Sequence, residues 1–240
     1  MATKKIEIPE IGSVTLYKRR GNRSLRLSVS ADGEIRVSLP AWVPYKAGEQ
    51  FARSKAQWIA EHRRAPNTAL RHGHAIGKAH RLHFTPSAQA TRITTRLRQN
   101  QIEITHPEAY EASHTEVQKA AQTASIRALR REAEQLLPQR LHDLASKTGF
   151  SYTSIEVKQL KSRWGSCSAR QEITLNLFLI QLPWHLIDYV LLHELTHTKV
   201  MRHGTPFWKE LERHVPRAKQ LRKEIGNHHP ILSPRPDSVA

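Results

Sequence analysis

Cysteine occurs once in these 240 residues, at Cys167, so no internal disulfide can staple the fold. Aromatic residues make up only 6% of the chain, too few for an extended stacking surface. No apolar run reaches the roughly 18 residues that a bilayer-spanning helix needs; LNLFLIQL at 175–182 comes nearest and falls far short. Before Pro9 there is no apolar core of signal-peptide length. These absences lead to the expectation of a soluble, cytoplasmic protein with no membrane partner.

Acidic side chains are scarce as well, 21 Asp+Glu against 38 Lys+Arg, which leaves a formal charge of +17. The excess is uneven: residues 1–110 hold 19 basic and 8 acidic side chains, residues 111–240 hold 19 and 13. Such a balance suits nucleic acid, acidic substrates or anionic surfaces, and its plain alternative is a solubilising surface. Lys18, Arg19, Arg20, Arg23 and Arg26 form the densest basic run, with more basic residues spread over 53–98. The expectation is a basic N-terminal surface that binds polyanions, nucleic acid above all, through phosphates and without base reading.

The first forty residues read as β-structure. Leu25, Leu27 and Val29 alternate with polar residues, as do Ile35, Val37 and Leu39, and Asp32-Gly33 between them supplies a tight turn. Pro44 opens a helical stretch with Phe51, Trp58 and Ile59 on one face, which should stop before Pro66. Strands are expected over 80–105, around the turn Gln99-Asn100-Gln101. From Thr115 the chain turns to good helix formers, interrupted by Pro138 and closed by Gly149. Short strands at 155–160 and 173–177 precede a helix over 183–201 and a last helical region over 206–225, broken at Pro216.

The segment IDYVLLHELTHTKVMRHGTPFW, residues 187–208, is where the pattern becomes specific. His193 and His197, four apart, share one face of a helix, so two imidazole nitrogens can reach one metal ion. Glu194 projects beside them and can serve a metal-bound water without being a ligand. A chance HExxH would arise in roughly one chain in fifteen of this composition. The surrounding Leu186, Ile187, Val190, Leu191, Leu192 and Leu195 make the helix apolar nearly all round. Two histidines and a carboxylate would be costly there unless a metal satisfied them.

A catalytic zinc needs a third protein ligand and an open position. His203 is the best placed, with Gly204 after it to ease a change of direction. Glu210 and Glu212 are runners-up; His214, His228 and His229 rank lower. The His193/His197/His203 spacing is also that of metzincins. Those carry glycine where this chain has Val200 and require a downstream methionine turn, whereas the only methionines here are Met1 and Met201.

The run KSRWGSCS at 161–168, followed by ITLN, IDYVLLHELTH, His203 and Phe207-Trp208, resembles the YgjP-like metallopeptidase family, zincin-type proteins related to SprT-like and WLM-type metalloproteases. RSLRLSVSADGEIRVSLP and the 51–59 helix resemble that family's N-terminal part. The resemblance implies zinc on His193, His197 and His203, Glu194 as general base, and Phe207 and Trp208 as packing residues. It also implies that the strand after the SRWGSCS run lies beside the active-site helix, where a substrate chain could pair. Its substrate is left open between peptides and nucleotides, since some members are assigned UTP pyrophosphatase activity.

Other residues have plainer readings. Cys167 could sense redox state or ligate zinc, but a lone strand cysteine is more often a small buried hydrophobe. Arg163 could bind an anionic group or stabilise an oxyanion, against an ordinary surface ion pair. His72, His74, His80 and His83 lack a template for a second metal and are assigned to a basic, partly mobile stretch. The expected fold is α+β: an N-terminal mainly-β basic region (1–112) packed on a zincin-like domain (113–226) with the HExxH active-site helix, then a flexible tail (227–240). The expected function is a zinc-dependent hydrolase acting on a peptide or protein. Alternatives are a nucleotide pyrophosphatase at the same metal site and a nucleic-acid-associated module with a non-catalytic zinc.

Overall fold

A computed structural model describes residues 3–29, 33–62 and 69–234. The chain divides into two units, Met1–Thr68 and Ala69–Ala240.

In the first unit, strands β1 (Thr3–Ile8), β2 (Gly12–Arg19), β3 (Arg26–Val29) and β4 (Ile35–Pro40) form one sheet in the order β1-β2-β4-β3. Strand alternation places Ile8, Val14, Leu16, Ile35, Val37 and Leu39 together in the core of this unit. The expected hairpin is present, with Leu27 opposite Val37 and Val29 opposite Ile35. Gly33 adopts a left-handed φ of 81° at its turn, while Asp32 lies outside the described residues. The single helix expected after Pro44 is two, α1 (Tyr45–Ser54) and α2 (Ala56–His62), because Lys55 leaves helical geometry at φ −111° and ψ 17°. That break re-aims the face: Ile59 is buried, but Trp58 is 37% exposed. Pro66, the expected stop, lies outside the described residues.

The second unit begins with β5 (Ala75–Ile76), β6 (His80–Ser87), β7 (Thr94–Arg98) and β8 (Gln101–Pro107), in the order β5-β6-β8-β7. Ile76, Leu82, Ile102 and Ile104 share a core with Val117, Ala121, Ala124 and Ala128 of α3 (Thr115–Thr148). The boundary expected at residue 112 would cut this core; it falls between Thr68 and Ala69 instead. The 80–83 stretch is likewise no loose basic segment: His80 is buried, and its ring Nδ1 and backbone N–H both bond the buried carboxylate of Glu132. Lys78 and Ala79 donate their backbone N–H groups to the same carboxylate.

Helix α3 runs unbroken through Pro138, where an interruption was expected. A proline removes one helical hydrogen bond, but Leu137 and Leu141 on either side are fully buried and hold the segment in place. Gly149 ends it with φ 70°, as its position suggested.

A three-stranded sheet follows, ordered β10-β11-β9, from β9 (Ser154–Lys158), β10 (Gly165–Cys167) and β11 (Glu172–Asn176). A buried 3-10 turn over Leu177–Gln181 leads into α4 (Trp184–His197), α5 (Thr205–His214) and α6 (Ala218–Ile225). Helix α4 stops at His197, short of the expected residue 201, and the break near Pro216 is as expected. The start of the expected loose tail is pinned: Gln181 Nε2 donates to the carbonyl of Ile231 at 2.8 Å, and Ser233 N–H donates to Gln181 Oε1 at 2.9 Å. Among the described residues no helix is long and apolar enough to cross a membrane.

Candidate metal centre

Helix α4 carries the histidine pair because its sequence leaves it no exposed apolar face to hide. Leu186, Ile187, Leu191 and Leu195 are fully buried, against a core that includes Leu137 and Leu141 of α3. Arg140 of α3 clamps Asp188 of α4 with two hydrogen bonds of 2.7 and 2.6 Å. The helix end thereby aims His193 and His197 at the loop 198–204, which returns His203.

The three imidazoles converge. His197 Nε2 and His203 Nε2 are 3.1 Å apart, and His203 Nε2 and His193 Nε2 are 2.9 Å apart. Nitrogens held by one tetrahedral zinc at about 2.0–2.1 Å stand about 3.3 Å from each other, so the triad needs to open by only a few tenths of an ångström. His197 Nδ1 faces the carbonyl of Val200 at 3.2 Å, which places its proton there and leaves the Nε2 lone pair turned into the cluster. His193 Nδ1 is buried without a hydrogen-bond partner among the described residues. A cation at the cluster would take the His193 Nε2 lone pair in place of the contact with His203 and leave the proton on Nδ1. Burial, reinforced by His197, His203 and Arg222, pushes His193 down to about 3. Burial and His203 also lower His197, against the pull of the Val200 and Met201 carbonyls. Both rings are therefore neutral donors at ordinary pH.

Phe207, wholly buried near the start of α5, lies with its ring centroid 4.9, 4.5 and 4.8 Å from those of His193, His197 and His203. It forms an apolar wall to all three imidazoles, a closer relation than the general packing expected of it. Trp208 stands further off, about 6 Å from two of them, with Arg222 over its indole. Gly204 has φ −93°, which any residue adopts, and a Cβ there would meet only Pro206 at 3.6 Å. Its expected role in easing the change of direction is not required.

Glu194 is 5% exposed and has no hydrogen-bond partner among the described residues. Burial pushes its carboxyl up to about 8, with Arg163 pulling the other way. Strand β10 runs directly beside it: a Cβ on Gly165 would fall 2.9 Å from both Glu194 Cγ and Oε1. Only glycine allows that approach, a role sequence reasoning missed although the residue sits in the quoted SRWGSCS run. Asn176 was also missed. Fully buried, it donates through Nδ2 to the carbonyls of Leu160 and Arg163, both at 2.8 Å, and so fixes the loop that presents Arg163.

The strand expected to line a substrate, the ITLN segment in β11, has β10 on one side and β9 on the other, so it has no open edge. β10 is one of the two edge strands and the one packed against α4. The remaining candidates stand apart from the triad. Glu210 is held by Arg213 at 2.6 Å and Lys199 at 3.4 Å, and Glu212 lies 3.9 Å from Lys219. His214 packs edge-on against Phe150, and the one ligand-type cluster among the described residues is His193, His197 and His203. Cys167 is half-buried, and burial together with Glu194 pushes its thiol up to about 11. It is an inert small side chain.

No curated protein matches the chain. Among solved structures, the metallopeptidase zymogen of Pyrococcus abyssi abylysin is 26% identical, with a TM-score of 0.36 over 38% of this chain and 93% of that one. The metallopeptidase zymogen of Methanocaldococcus jannaschii jannalysin is 22% identical, with a TM-score of 0.35 over 38% of this chain and 94% of that one. A family described as "YgjP-like, metallopeptidase domain" matches residues 23–228, a span that holds the histidine triad, Glu194 and the β10 edge. The chain belongs to the YgjP-like metallopeptidase family.

Proposed function

We propose that the second unit is a zincin-like domain and that the protein is a zinc-dependent peptidase with Glu194 as its general base. The observation that carries this reading is the convergence of three imidazole Nε2 atoms next to a buried carboxylate that no hydrogen bond occupies. Three nitrogen donors suit a catalytic zinc, which keeps a fourth position for water, and His203 is exposed to solvent. A structural site gains nothing from a glutamate at this place.

His193, His197 and His203 would hold the ion, with Val200 setting the His197 tautomer and Phe207 keeping water off the inner side. When bound, zinc supplies a Lewis acid that polarises a carbonyl and acidifies water. Burial alone favours the neutral acid of Glu194, whereas a cation held by the triad would favour its carboxylate, which would then accept a proton from the hydrolytic water and return it to the departing amine nitrogen. Gly165 lets the substrate-facing edge of β10 approach that carboxylate, so an extended peptide paired along β10 would pass the base at close range.

One observation favours a second reading. Arg163 and Arg222 act electrostatically on Glu194 and His193, and such cations suit a phosphoanhydride such as that of UTP. The test is to load the protein with zinc, measure the metal by elemental analysis, and assay unfolded casein and the four ribonucleoside triphosphates in parallel. We expect one zinc per chain, casein cleavage, and loss of turnover with metal retained in Glu194→Gln. Pyrophosphate release without casein cleavage would establish the second reading. A zinc content near zero after loading would overturn both.

A further inference from the structure

The basic run of the first unit is not spread over its surface but gathered at one end of its sheet. Strand β2 is parallel to β4, with Lys18 beside Leu39 and Arg19 beside Pro40, and antiparallel β3 enters at the same end with Arg26 beside Ser38. Arg20 and Arg23 lie in the connection between β2 and β3. The opposite end carries the acid: Glu7 pairs with Ser13, Glu10 lies in the β1–β2 turn, and Glu34 immediately precedes Ile35, which faces Val14. A surface charged only for solubility mixes its signs; apart from Arg36, which pairs with Glu34, this sheet sets its arginines at one end and its acidic side chains at the other.

Topology adds what the sequence hid. Trp42 follows directly on Pro40-Ala41, at the basic end, and is 79% exposed, the most exposed large hydrophobic side chain described. Its backbone setting is braced: Lys18 donates to the carbonyl of Ala41 at 3.1 Å and lies 5.0 Å above the Tyr45 ring. Arg36 and Arg53 are taken up by Glu34 and Glu49. Arg19, Arg20, Arg23 and Arg26 are exposed and have no acidic partner among the described residues.

We propose that this end of the sheet binds single-stranded nucleic acid, the four arginines on successive phosphates and the Trp42 indole stacked on an unpaired base. Phosphate contacts alone would serve a duplex equally well. A largely exposed indole at the same end of the sheet as guanidinium groups without acidic partners selects for bases whose faces are open, and does so without reading their edges.

The test is a fluorescence-anisotropy titration of the full-length protein with labelled 20-mers of dT and rU and a mixed-sequence 20-base-pair duplex, over a salt series. The single strands should bind more tightly than the duplex. Trp42→Ala should weaken single-strand binding roughly tenfold and duplex binding by no more than about twofold, with Trp42→Phe restoring most of the difference. Neutralising Arg19, Arg20, Arg23 and Arg26 to Gln should lower the log–log salt slope for single strands by about 2 to 3. All of these side chains are exposed, so an unchanged circular-dichroism melt can verify the fold of each variant. Absence of binding at low salt, equal affinity for duplex and single strand, or indifference to Trp42→Ala would each overturn the proposal. So would Trp42-dependent binding to phosphatidylglycerol vesicles in the absence of any binding to the oligonucleotides.

Discussion

Gly165→Ala tests the geometry of the site with the smallest possible change. The added methyl would lie 2.9 Å from both Glu194 Cγ and Oε1, roughly half an ångström inside an ordinary contact. Gly165 is not among the glycines of positive φ, so the backbone tolerates alanine and the perturbation is confined to that contact. Helix α4 is buried around Glu194, with Val190, Leu191 and Leu195 in the core, so the flexible glutamate side chain is the part that yields. A misplacement of about 1 Å can cost a hundredfold in rate, so a shift of about half that predicts a kcat roughly tenfold lower. Stability should fall by only about 1 kcal/mol, the low end of overpacking effects, since β10 is an edge strand. The assay is casein turnover at saturating substrate beside zinc stoichiometry and a thermal melt. Full zinc with kcat within about twofold of the unaltered protein would refute the reasoning, because Glu194 would then not be the group whose position limits the reaction. Loss of zinc would refute it differently, by showing that the contact supports the ligands and not the base.

Other outcomes follow from neighbouring features. His203→Ala should abolish stoichiometric zinc in elemental analysis while Glu210→Ala retains it, since Glu210 is already held by Arg213 and Lys199. Phe207→Ala should lower the melting temperature markedly, in line with about 3–5 kcal/mol for a buried phenylalanine, and should weaken zinc retention in a chelator competition because all three imidazoles lose their wall. Glu132→Gln should also lower the melting temperature. Burial raises the Glu132 carboxyl, but hydrogen bonds from His80, Lys78 and Ala79 outweigh it and hold the group below its ordinary value of 4.5. A depressed folded-state value contributes stability above the unfolded value that is lost as pH falls through the folded one. The wild-type melting temperature should therefore drop on acidification below about 4.5, and the drop should be shallower in Glu132→Gln. Parallel pH curves for the two proteins would contradict that assignment.

What could be read from the sequence divides by range. The triad was legible because its constraint is local: His193 and His197 lie one helical turn apart, and His203 follows within a short loop. The β3–β4 hairpin and the end of α3 at Gly149 were legible for the same reason. Gly165 and Asn176 were not, although both lie in quoted runs, because their roles depend on which strand passes which side chain. The same holds for the unit boundary. Strand periodicity located β6 and β8 but carries no record that Ile76, Leu82, Ile102 and Ile104 share a core with a helix face that begins only at Val117 and continues in Ala121, Ala124 and Ala128. Pro138 misled through a local rule overridden by fully buried leucines on either side. Trp42 lies sixteen residues past Arg26 in the chain, and only the parallel pairing of β2 with β4 brings it to the basic end.

Strand β10 is only three residues long, Gly165–Cys167, and it forms one edge of its sheet. Through an edge so short, a partner chain can be gripped only by a few main-chain hydrogen bonds, and only where its own amides and carbonyls are unclaimed. A folded protein has already committed those groups within its own helices and sheets, so it has nothing to offer the strand. A peptidase of this construction would ignore intact neighbours and act where a chain has come locally undone, and the folding state of the substrate would then be its safeguard against indiscriminate cleavage.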